Sequence, residues 1–230
     1  MSHPPGTRDR VLDAAEKLFS RNGFDGSSLR MITAEAGVNL AAVHYHFGSK
    51  EELLRAILRR HVEPINERRL GLLDAAIARA DGKPPPLDEI LEAFLRPAIE
   101  YIHGGRRTHL MRLVAMLHSN PELLPAGFFH EIFDTVIQRF RVLERALPHL
   151  QADEIVWRFH FMIGAMMQCV SDVAAKNDPR LLKPDVSAEE MLQRLLSFVK
   201  AGFEAPATSA EGEGNGGGYR SRPLNRGAKS

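Results

Sequence analysis

The most constraining feature of this sequence is a dense run of helix stop and start signals between residues 23 and 50. Gly23 closes a first helical pattern, Arg8 to Asn22, in which Val11, Leu12, Ala15, Leu18 and Phe19 form one apolar stripe. Ser27-Ser28 supplies an N-cap for Leu29 to Ala36, and Gly37 ends that helix after about two turns. Asn39 caps a third, Leu40 to Phe47, which Gly48 ends. Ser49, with Glu52 three residues on, is a capping box for a fourth. The spacing therefore predicts short helices with a sharp turn at Gly37-Val38 between the second and third.

Beyond this region the period stays helical, and no stretch alternates for long in the two-residue rhythm of a strand. The fourth helix runs through Leu53, Leu54, Ile57 and Leu58, and Pro64 is expected to kink or break it before the pattern resumes toward Arg79. Asp81-Gly82-Lys83-Pro84-Pro85-Pro86 is a linker, because three prolines cannot sit in a helix interior. Further helices are expected near 87–103 (kinked at Pro97), 106–118, 125–147, 152–176 and 187–204, the last opened by a second capping box, Ser187 with Glu190. From Ala205 on, Gly, Ser, Ala and Arg replace apolar residues, which predicts a disordered tail. The expectation is an all-α chain: a disordered N-terminus at 1–6, a three-helix domain at 7–60, a helical domain at 61–204 and the tail at 205–230.

Three short helices turning at Gly37-Val38 have the layout of a helix-turn-helix, in which the second helix crosses the DNA backbone and the third enters the major groove. Geometry of this kind alone leaves ordinary three-helix packing open. On the third helix Ala41 and Ala42 allow close approach, and His44, Tyr45 and His46 can donate to phosphates. Ser28, Thr33 and Lys50 are expected to add phosphate contacts, Asn39 to stand at the helix entrance, and Leu40 with Ala41 to touch thymine methyl groups. The formal net charge of +1 does not carry a nucleic-acid argument in either direction.

Residues 28–53, Ser-Leu-Arg-Met-Ile-Thr-Ala-Glu-Ala-Gly-Val-Asn-Leu-Ala-Ala-Val-His-Tyr-His-Phe-Gly-Ser-Lys-Glu-Glu-Leu, resemble the DNA-binding signature of the TetR family. The likeness extends over about residues 7–60, through Leu12-Asp13-Ala14-Ala15, Leu18-Phe19 and Gly23-Phe24. It departs from that signature at Leu40, Ala41 and His44, where the family usually has a polar or basic residue, Gly and Tyr. Those departures, with Trp157-Arg158-Phe159-His160-Phe161-Met162-Ile163-Gly164-Ala165, look like the fatty-acid-responsive PsrA-like branch. The resemblance implies a cytoplasmic homodimeric repressor of a double-stranded DNA operator, released by a small apolar effector such as a long-chain fatty acid or acyl-CoA. A regulator without an effector, or an activator, is the alternative.

The second domain is then read as the ligand-binding and dimerisation part. The pattern at 152–176 is apolar almost all round and must be covered on every side. Phe161, Gly164, Ala165 and Gln168, with Leu195 and Phe198 of the last helix, are the expected seam of a dimer; a monomeric core is the plainer reading. Phe94, Met111, Phe129, Phe133, Phe159, Met162 and Met166 are candidates for an apolar ligand site, though any helical core uses such residues. Arg112, with Arg106, Arg107 and His109, is the expected partner of an acidic headgroup.

Other chemistries find no pattern. His-Glu-x-x-His and paired-Cys spacings are absent, and His44 and His46 point to different sides of a helix, so no metal or other cofactor is expected. Neither a nucleophile elbow nor a phosphate-cradling glycine loop occurs, so no enzyme is expected. Cys169 sits among apolar neighbours and reads as an inert thiol. The apolar run from Ile155 to Val170 is interrupted by polar residues and is too short for a membrane span.

Overall fold

A computed structural model describes residues 6–103, 113, 117, 120–124, 127–170 and 186–207. Among them are nine α-helices and no strand: α1 (Thr7–Asn22), α2 (Leu29–Ala36), α3 (Leu40–Phe47), α4 (Lys50–Arg79), α5 (Leu87–Tyr101), α6 (Phe128–Phe140), α7 (Val142–Ala146), α8 (Ala152–Val170) and α9 (Ala188–Glu204). A short 3-10 turn covers Pro121–Leu123. The all-α expectation is met. Most of the helix expected near 106–118, residues 171–176 of the one expected at 152–176, residues 1–5 and residues 208–230 lie outside the described residues.

The capping signals act as their chemistry requires. Ser28 Oγ accepts from the Met31 amide at 3.2 Å, Asn39 Oδ1 from Ala42 at 2.8 Å, and Ser49 Oγ from Glu52 at 3.1 Å. Each satisfies an amide that the first turn of its helix leaves without a partner, contributing about 1 kcal/mol. Gly37 ends α2 in the left-handed region at φ 63°, ψ 41°. There the Val38 amide reaches back to Thr33 O at 3.0 Å, a Schellman closure that turns the chain toward α3.

Two cores result. Val11, Leu12, Ala15 and Phe19 of α1, Ile32 of α2, and Val43 and Phe47 of α3 pack with Leu53, Leu54, Ile57 and Leu58 of α4, and Leu113, Leu117 and Phe128 join them. The second core gathers Ile65 and Leu73 of α4, Ile90, Phe94, Leu95 and Ile99 of α5, Val136 and Phe140 of α6, Ile155, Met162 and Met166 of α8, and Leu192, Leu195, Leu196, Val199 and Phe203 of α9.

Helix α4 belongs to both cores and passes through Pro64 without the break that the sequence allowed. It runs unbroken for 30 residues, roughly 45 Å at the usual rise. Proline removes one backbone donor and crowds the preceding turn. The ring, however, lies on the exposed side, while Leu58 before it and Ile65 after it are anchored in separate cores. Tertiary packing on both flanks holds the helix together. Pro97 is likewise carried inside α5. The helix expected at 125–147 instead divides at Arg141, where no glycine or proline marks the break.

A buried arginine closes the far end of the second core. Arg158 of α8 is paired with Glu154 at 2.8 Å and donates to the carbonyls of Gly202, Phe203, Ala205 and Pro206 at 2.7 to 3.0 Å. Those carbonyls lie at or just beyond the C-terminal end of α9, where helix carbonyls lack intrahelical partners and a cation is favoured. Arg158→Met is expected to lower unfolding free energy by about 3 kcal/mol. Denaturant titration checks this, and a loss under about 1 kcal/mol would assign the cap little weight.

Candidate DNA-binding surface and regulatory core

Helix α3 is held by its inward residues and presents the rest. Val43 is fully buried and Phe47 is nearly so, whereas Ala41, His44, Tyr45 and His46 are exposed, Tyr45 to 86%. Leu40 is 38% exposed at the helix start and Ala42 is half-buried beneath it. His44 Nδ1 lies 2.9 Å from Gly48 O, so the tautomer protonated there donates to the carbonyl and leaves Nε2 facing outward. The Tyr45 and His46 rings meet edge-on with centroids 5.1 Å apart, which limits the swing of both.

The remaining expected contacts divide. Ser28 and Asn39 are exposed, with side-chain oxygens engaged as caps. Thr33 faces inward, 7% exposed, and its hydroxyl donates to Arg30 O at 2.9 Å. Lys50 has its ammonium 3.1 Å from Phe24 O and 3.3 Å from Ser27 O, and 4.1 Å from the centre of the Phe24 ring. Both side chains are placed to hold the domain together. Arg30, which the sequence reading passed over, is exposed at the start of α2 and makes no ion pair among the described residues. Its place on the helix beside α3 was the available signal.

The two domains are tied by polar contacts as well as by α4. Arg55 and Arg59 of α4 both reach Glu131 of α6, at 2.6 and 2.7 Å. His61, buried in α4, lies 2.7 Å through Nδ1 from the Tyr101 hydroxyl of α5. Its Nε2 is 3.1 Å from Glu16 Oε2 of α1, near enough to attract but out of line for a hydrogen bond. One imidazole thus touches α1 and α5 together.

In the second core Phe94, Met162 and Met166 are buried and Phe159 half-buried, while Phe133 is half-buried on α6 and belongs to neither core cluster. The Phe94 ring meets Phe140 at 5.2 Å and Phe159 at 4.8 Å, both edge-on. Met111 and Arg112, with Arg106, Arg107 and His109, lie outside the described residues, as does the Phe129 side chain. Arg69 of α4 is a core residue that sequence reasoning missed, 3% exposed. It sits in Glu67-Arg68-Arg69, which reads as a solvated run; the spacing 65, 69, 73 puts it on the inward face.

Of the expected dimer seam, Phe161 is 66% and Phe198 70% exposed, Gly164 and Gln168 are exposed and Ala165 is half-buried. Leu195 is instead packed into its own core. Trp157 and Val156 join the exposed apolar face, and the Trp157 indole stacks on Phe161 at 6.0 Å. Burial raises the Cys169 thiol above its ordinary range, which keeps it protonated at neutral pH. Among the described residues no group of three or more His, Cys, Asp or Glu side chains is placed to hold a metal ion, and no helix is long and apolar enough to cross a membrane.

Comparison with known proteins agrees with this layout. Residues 11–57 match the family model described as bacterial regulatory proteins of the tetR family, and residues 92–202 match that of a tetracyclin repressor-like C-terminal domain. The chain is 39% identical over 71 residues to the HTH-type transcriptional repressor NicS of Pseudomonas putida, covering 30% of this chain and 34% of that protein. It is 29% identical over 105 residues to the HTH-type transcriptional repressor KstR2 of Mycolicibacterium smegmatis, covering 45% of this chain and 48% of that one. The matched stretches thus span about a third and about half of these curated relatives. A solved TetR-like transcriptional regulator from Rhodococcus sp. RHA1 shares the fold, with a TM-score of 0.58, 21% identity and coverage of 87% and 98% of the two chains. With a helix-turn-helix domain at one end and a helical tetracyclin-repressor-like domain at the other, this chain belongs to the TetR family of bacterial regulatory proteins.

Proposed function

We propose that this chain is a homodimeric transcriptional repressor that reads a palindromic operator with α3 and releases it when an apolar effector enters the second core. The observation that carries the reading is α3 itself, rooted by Val43 and Phe47 and offering Leu40, Ala41, His44, Tyr45 and His46 to solvent. Such a rod fits the major groove, and a symmetric pair spaced by about 34–36 Å would meet successive groove faces of a palindrome. Arg30 and Ser28 flank it as phosphate contacts. An enzyme reading has no comparable support.

Dimerisation is supported by the exposed face of Val156, Trp157, Phe161 and Phe198, because large apolar patches on a folded surface mark interaction sites. Gly164 and Ala165 beside it would admit a close helix. The effector reading rests on the aromatic and thioether lining of the second core, and the PsrA-like resemblance favours a fatty acid or its acyl-CoA. Such a ligand acts only if it prefers the arrangement that DNA does not. The work belongs in the cytoplasm, where the operator is.

Tyr45→Ala is expected to weaken operator binding by about tenfold to a hundredfold while leaving the melting temperature unchanged. A mobility-shift titration on the chain's own upstream DNA measures it, and unchanged affinity would remove α3 from the interface. Phe161→Glu combined with Phe198→Glu is expected to sediment as a monomer; a persisting dimer would move the seam elsewhere. Lys50→Met is expected to cost about 2 kcal/mol of stability and leave the salt slope of DNA binding intact. A slope reduced by about one, with stability retained, would make Lys50 a phosphate contact instead.

A further inference from the structure

Among the described residues, Arg69 is a charged group in the second core with no charge opposite it. The other buried arginine among the described residues, Arg158, has Glu154 as its counter-ion. Among the described residues Arg69 has neutral acceptors only: Nε donates to Phe94 O at 2.9 Å, Nη1 to Asn66 Oδ1 at 3.0 Å, and Nη2 to the Met166 thioether at 3.8 Å. Its guanidinium carbon lies 3.9 Å from the centre of the Phe94 ring. Of five N–H groups these contacts use three, leaving one on each terminal nitrogen without an acceptor among the described residues, and a carboxylate can accept from two such groups at once. Sulfur is a weak acceptor, and methionine is the side chain most able to move aside. Burial lowers the Arg69 pKa to about 9, so the group is still charged at neutral pH.

A buried cation without a counter-ion is unfavourable by itself, and an anion arriving beside it offsets that cost. We infer that Arg69 is the anion-recognition residue of the effector site, and that the effector is an apolar monocarboxylate whose body lies along Phe94, Phe140 and Phe159. The inference rests on the effector-gated reading above and narrows it. A single charge matches a monoanion. A phosphate or a coenzyme A headgroup would bring further negative charge into a core that holds no other cation near Phe94 among the described residues. The free acid is therefore favoured over the thioester. Position explains how binding is felt elsewhere: Arg69 and Asn66 are bonded together on α4, and Asn66 Nδ2 holds Ile132 O of α6 at 2.8 Å. α6 also carries Glu131, the clasp of Arg55 and Arg59.

The test uses the full chain with phenylacetate, octanoate, dodecanoate and oleate, each beside its neutral primary amide, and dodecanoyl-coenzyme A, all below micelle-forming concentrations. Thermal melting and titration calorimetry report binding, and a mobility shift reports DNA release. At least one acid is expected to bind and release DNA, with its amide at least tenfold weaker. Arg69→Met is expected to melt at the same temperature as the parent or higher, because an apolar side chain of similar volume replaces an uncompensated charge. It is also expected to bind the acid at least a hundredfold more weakly. Arg69→Lys, which keeps the charge without the fork, is expected to fall between and serves if the methionine variant does not fold. Amides binding as well as acids, variants responding as the parent does, or no acid binding would each overturn the role of Arg69. If amides or the thioester still release DNA, effector gating survives that loss; if no compound of either kind releases DNA, gating falls with it.

Discussion

Helix α4 carries Leu53, Leu54, Ile57 and Leu58 into one core and Ile65 and Leu73 into the other, so neither core can shift without pulling on the same backbone. Polar contacts reinforce that rod. Arg55 and Arg59 fasten its outer side to Glu131, and His61 fastens its inner side to α5 and α1. The helix-turn-helix is thereby mounted on a member whose other half is part of the second core, so the two domains are mechanically joined through one helix.

The two buried arginines show how one residue type serves opposite ends. Arg158 is surrounded by carbonyls and a carboxylate, and its charge is used in closing α9. Arg69 has a ring face, an amide oxygen and a sulfur, which hold its position while leaving its charge unanswered among the described residues. Surface pairs such as Arg79–Glu89 and Lys200–Asp88 are solvent-screened and shape the molecule little by comparison.

Local signals in the sequence were legible where the physics is local. Ser28, Asn39, Ser49 and Ser187 cap the helices that their side chains predict, because a cap depends on only a few consecutive residues. Pro64 does not break α4, because its penalty is local while the packing that holds the helix comes from two separate cores. The division at Arg141 has no glycine or proline to betray it. Arg69 was hidden in a charged run, and the contacts that Thr33 and Lys50 make within the domain, with Arg30 O and the Phe24 ring, depend on residues brought together by the fold. Side-chain type told which groups could touch DNA; only the fold tells which are free to.

Pro64 has a mechanical consequence. Residues 50 to 64 extend roughly 21 Å at about 1.5 Å per residue, so a bend of about 5° at the proline swings the distal tip by roughly 2 Å. A helix lacking one internal hydrogen bond is softest at that joint. The lever arm therefore converts angular changes too small to disturb packing near its pivot into displacements comparable to the reach of a hydrogen bond at its tip.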